Sequence, residues 1–75
     1  MMEQERIGAT LRALRELRGF KPDQFASELG MSRSHLQNIE SGRKKLSQVN
    51  LARAAALLDV PQIAIMRPEA LAPTA

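Results

Sequence analysis

Between Gly30 and Gly42 the chain reads Gly-Met-Ser-Arg-Ser-His-Leu-Gln-Asn-Ile-Glu-Ser-Gly. Leu36 and Ile39 are three residues apart, so on a helix they share one face, which must point inward. Arg33, Ser34, Gln37 and Asn38 are then left outside: a guanidinium, a hydroxyl and two amides, with no acid among them. Arg43, Lys44 and Lys45 follow directly after Gly42. An arginine fork matches O6 and N7 of guanine, and the edges of DNA bases in the major groove offer partners of this kind to amides and hydroxyls. The stretch therefore suits a helix laid in the major groove of DNA.

Each side chain has a plainer reading as well. Arg33, in the first turn of the helix, is expected to read a base; otherwise it is a solvated arginine paired with Glu28 or Gln37. Ser34 and Asn38 read either bases or the groove wall, and Gln37 pairs either with adenine or with a phosphate. Taken singly, each of these three is equally ordinary surface polarity. His35 touches a phosphate at the groove edge or is a half-packed surface imidazole. Ser32 is first a helix N-cap, with a phosphate contact as a second role. Arg43, Lys44 and Lys45 are expected on the phosphate backbone, although a short cationic run is often only a solvated surface.

The charge distribution points the same way. Over 75 residues the formal charge is +3. Residues 1–30 hold five cations and five anions, whereas 31–58 hold five cations against Glu40 alone, a local +4; residues 59–75 carry one cation and two anions. The excess sits on and after the exposed helix, which implies a polyanion partner. There is no cysteine and a single histidine, so neither a disulfide nor a metal centre is expected, and no cofactor. No carboxylate pair or activated nucleophile appears at usable spacing, so an enzyme is not expected. Phe20 and Phe25 are the only aromatics, both expected inside, which leaves no stacking platform for single-stranded RNA. No apolar segment approaches membrane-spanning length, and a cytoplasmic, nucleoid-associated protein is expected.

A single domain of short helices must position these groups. Ile7, Leu11 and Leu14, with Leu17 near the same stripe, mark a first helix over 3–18 that Gly19 stops. Pro22 opens a second helix, Phe25, Ala26 and Leu29 form its inner face, and Gly30 ends it. The third spans 32–41. Ser47 caps a fourth running to Leu58, with Leu51, Ala55 and Leu58 inward and Ala52, Ala54 and Ala56 allowing close approach. Pro61 opens a short fifth helix, and Pro68 forbids much continuation, which leaves 67–75 as a frayed tail. Ile63, Ile65, Met66 and Leu71 are very apolar for so late a segment. Some must complete the core, and the rest, with the fourth helix, are expected to form a two-fold dimer patch at Ile63, Ile65 and Met66.

Residues 5–66 resemble the Cro and phage-repressor (XRE) type of helix-turn-helix domain. Ala26, Gly30, Leu36 and Ile39 stand where that motif has its small residue, turn glycine and two buried aliphatics. Ile39-Glu40-Ser41-Gly42 resembles the ending of its recognition helix, and Leu51 to Val60 its fourth helix. Lys21 and Pro22 replace the Ser/Thr and Gln usual before and at the start of the second helix; Lys21 is expected to reach the phosphate that the glutamine would touch. Leu46 replaces a common loop proline. The resemblance implies an all-α, five-helix, lambda-repressor-like fold over 1–66, with a structural salt bridge between Arg15 and Glu40. It also implies a sequence-specific regulator of transcription, a repressor or autoregulator, binding double-stranded DNA at a pseudo-palindromic operator as a homodimer. The alternative is an antitoxin-type module whose main partner is another protein, a toxin or a regulator.

Overall fold

A computed structural model describes residues 2–67 and contains five helices: α1 (Glu3–Leu17), α2 (Pro22–Glu28), α3 (Arg33–Glu40), α4 (Gln48–Leu58) and α5 (Gln62–Met66). Among the described residues there is no strand, and no helix is long and apolar enough to cross a membrane. Of the expected tail only Arg67 is described; the stop at Pro68 and the apolar Leu71 lie outside the described residues.

Two helices start on a serine cap. The Ser32 hydroxyl accepts from the His35 N–H at 3.0 Å, and the Ser47 hydroxyl accepts from the Asn50 N–H at 3.2 Å. Lys21 supplies α2 with an extended N-cap backbone but no side-chain bond, so Pro22 and Asp23 make the entry there. The turn into α3 depends on Gly30, at φ 71°: its N–H donates to the Ser27 carbonyl and the next N–H, of Met31, donates back to Ala26, both at 3.0 Å. The same pair of backbone bonds closes α1, α3 and α4. The residue that follows the left-handed position returns to the core after α1, α2 and α4, as Phe20, Met31 and Val60. After α3 that residue is Arg43, and it is exposed.

The core joins all five helices through Leu11, Phe25, Leu36, Ile39, Leu58 and Ile65, each fully buried. Burying a side chain of this size is worth about 1.5–3 kcal/mol. The Phe20 and Phe25 rings meet at 5.4 Å, tilted by 56°. Helix α3 packs against α1 and α2, while α5 packs against α1 and α4. The crossing of α1 on α3 is very close. A Cβ at Gly8 would collide with the Ile39 carbonyl oxygen and come within 2.8 Å of that of Glu40.

Three sequence expectations are corrected here. The buried face of α1 is centred on Gly8, Leu11 and Arg15. Leu17, two residues past Arg15, therefore points away and is 76% exposed. In α4, Ala54 and Ala55 are buried, whereas Ala52 and Ala56 face solvent. Ile65 is 0% exposed and belongs to the core of the single chain, so it cannot line a dimer patch; Ile63 stays exposed and Met66 half-buried.

Candidate nucleic-acid interface

Helix α3 is fixed from behind before it presents anything outward. Arg15, late in α1, donates from Nε to Glu40 Oε2 at 2.8 Å and from Nη2 to Oε1 at 3.2 Å. Its Nη1 donates to the Phe20 carbonyl at 2.8 Å. The two side chains are 6% and 9% exposed, and no buried side-chain polar atom among the described residues lacks a partner. A buried pair must be two-pronged and fully hydrogen-bonded to offset desolvation, and this one is. Two residues past Glu40, the Gly42 carbonyl accepts from Gln4 Nε2, in the first turn of α1, at 2.7 Å. The last turn of α3 and its exit are thus tied to the first helix.

What remains outside is the polar side. Arg33, Ser34 and Gln37 are exposed, and His35 and Asn38 are half-buried. The Ser32 hydroxyl accepts from the backbone and keeps its own proton for donation. The Asn38 carbonyl accepts from the Ser41 hydroxyl at 3.1 Å and from the backbone N–H groups of Arg43 and Lys44 at 2.9 and 3.0 Å. These bonds set the direction in which the cationic loop leaves the helix. Arg43, Lys44 and Lys45 are all exposed, as is Lys21 at the α2 entry. Lys45 also borders an open cavity of about 530 Å³ floored by Ile7, Ile39, Leu46, Leu51 and Met66.

The outward side is not free of acid. Asp23 Oδ1 lies 3.2 Å from Arg33 Nε, with both side chains largely exposed. The sequence suggested Glu28 or Gln37 as the plain partner of Arg33. The four residues between α2 and α3 instead fold the first turn of α2 beside the first turn of α3. The sequence marks Asp23 only as a first-turn charge of α2, not as the partner of Arg33, and singles out neither Gly8 nor Val49. A glycine inside an apolar helical pattern was the available signal for Gly8. Val49, 60% exposed in the first turn of α4, precedes no pattern that marks it. It adjoins Gln48, whose amide donates to Gln62 at the start of α5 at 3.2 Å. Ile63, 42% exposed, follows Gln62.

Residues 6–65 match the family model described as a helix-turn-helix domain. The chain belongs to this family. Its motif is α2, the Gly30 turn and α3, with α3 in the place of the recognition helix. The helix-turn-helix chain is 37% identical over 68 residues to YazB of Bacillus subtilis (strain 168), described as an uncharacterized HTH-type transcriptional regulator; the match spans 91% of this chain and 99% of YazB. It is 35% identical over 60 residues to the ImmF control region 10 kDa protein of Bacillus phage phi105, spanning 80% of this chain and 67% of the phage protein. The crystal structure of C.AhdI, a restriction-modification controller protein from Aeromonas hydrophila, superposes with a TM-score of 0.78 at 28% identity, over 84% of this chain and 96% of C.AhdI. The fold and these relatives place this helix-turn-helix chain among DNA-binding regulators of transcription.

Proposed function

We propose that the protein is a sequence-specific repressor or autoregulator that binds a pseudo-palindromic operator as a homodimer. The observation that carries this reading is the division of α3. Leu36 and Ile39 are fully buried while Arg33, Ser34 and Gln37 stand in solvent, and three exposed cations follow the helix. Arg33 reads a guanine, and Ser34, Gln37 and Asn38 line the base edges and groove wall. Lys21, Arg43, Lys44 and Lys45 grip phosphates, with Ser32 and His35 at the groove margin. One domain this small reads few base pairs, and two copies reading half-sites about 34 Å apart supply specificity. Ile63 and Val49, on adjoining turns of α5 and α4, form the two-fold patch with the half-buried Met66 at its edge.

A duplex selected from a randomised pool by the wild-type chain tests the reading in a binding-shift series over salt. Affinity should fall steeply with salt, as release of counterions requires. Arg33→Ala should relax base choice at one position per half-site, whereas Lys44→Ala should weaken all sequences about equally. Equal behaviour of the two variants would reject the division of roles.

A further inference from the structure

The contact between Arg33 and Asp23 is not explained by packing. The side chains are 67% and 75% exposed, and an ion pair so open to water adds little to stability. What it does select is an edge of the guanidinium. Asp23 Oδ1 comes closest to Nε, at 3.2 Å, as an ion-pair contact without the alignment of a hydrogen bond. Guanidinium has five N–H donors in a rigid plane, and the carboxylate comes closest to the one on Nε rather than to the four on Nη1 and Nη2. Two of those four, one on each nitrogen, are what O6 and N7 of a guanine require.

We infer that Asp23 is a positioning residue for base reading: its charge draws the Nε side of Arg33 toward α2 and leaves the Nη donors as the fork that meets a guanine. This rests on Arg33 being a base reader. Two physical effects follow from the placement. An arginine biased toward one side of its range loses a little less side-chain freedom when it docks. A carboxylate beside it also makes phosphate, the competing acceptor in any groove, a poorer alternative for this guanidinium. Asp23 sits in the first turn of α2, exposed to water. Specificity at one base pair is then set by two helices, α2 supplying the acid and α3 the reader.

The test uses the full chain and duplexes selected by it from a randomised pool. The guanine assigned to Arg33 is the base pair at which Arg33→Ala relaxes preference. Affinity for the selected duplex and for one changed at that base pair is then compared in wild type, Asp23→Asn, Asp23→Glu, Arg33→Ala and the Asp23→Asn/Arg33→Ala double variant, with thermal melts as a check of folding. Asp23→Asn should lower discrimination at that base pair about three- to tenfold, a fraction of what a bidentate pair supplies. It should not weaken binding to unrelated duplex, Asp23→Glu should restore part of the preference, and the effect should vanish when Arg33 is absent. If Asp23→Asn strengthens both duplexes by the same factor, Asp23 is only a repelling charge and the inference fails while Arg33 stands. If discrimination rises instead, Asp23 withholds Arg33 from DNA and the inference is wrong. If Arg33→Ala changes preference nowhere, the reading of Arg33 fails, and this inference with it.

Discussion

Arg15 and Arg33 each meet a carboxylate, and exposure separates what the two contacts do. The Arg15–Glu40 pair is almost fully buried and bidentate. Glu40→Ala would strand a buried guanidinium, and chemical denaturation should show a loss of about 3 kcal/mol. A loss under 1 kcal/mol would mean that the angle of α3 is held by the apolar core alone. Arg33 and Asp23 lie in water, so Asp23→Ala should shift the melting temperature little while changing DNA discrimination. Lys44→Ala belongs with the phosphate contacts, and the slope of log affinity against log salt should fall by about 1.

At the scale of elements, the tightest constraint is the approach of α1 to α3. Alanine is a better helix former than glycine by about 1 kcal/mol, so on propensity alone Gly8→Ala should stabilise the chain. The carbonyl oxygens of Ile39 and Glu40 occupy the space a methyl would need. The variant should therefore be destabilised by about 1–3 kcal/mol in a denaturant titration. A gain in stability would show that α1 can slide without cost. The helices and their stops were legible in the sequence because each is written locally: Ser32 and Ser47 as caps, Pro22 as an entry, Gly30 as the turn. The buried side of α3 was legible for the same reason, in the spacing of Leu36 and Ile39. What could not be read there depends on how helices meet. The stripe Ile7, Leu11 and Leu14 does not say that its centre runs through Gly8 and Arg15, which is why Leu17 was misplaced. Ile63 and Ile65 differ by two residues on one short helix, and only the packing of α5 on α1 and α4 decides that Ile65 is the core residue. Asp23 comes beside Arg33 through the turn, not through sequence proximity.

For the whole molecule, the proposed assembly places the exposed apolar residues Val49 and Ile63 against their copies. Ile63→Glu should leave the circular dichroism spectrum unchanged, convert the protein to monomer in sedimentation, and weaken operator binding more than binding to unrelated duplex. An unchanged sedimentation coefficient, with the wild type dimeric, would move the two-fold surface elsewhere. The central claim is that the solvent side of α3 enters the groove of DNA. It is tested most directly by titrating isotope-labelled protein with the selected duplex and following backbone and side-chain N–H resonances. The account predicts that the largest changes fall on Arg33, Ser34 and Gln37, with Arg43, Lys44 and Lys45 next. Specific binding that leaves these residues undisturbed, and instead shifts the exposed residues of α1 or α5, would contradict it.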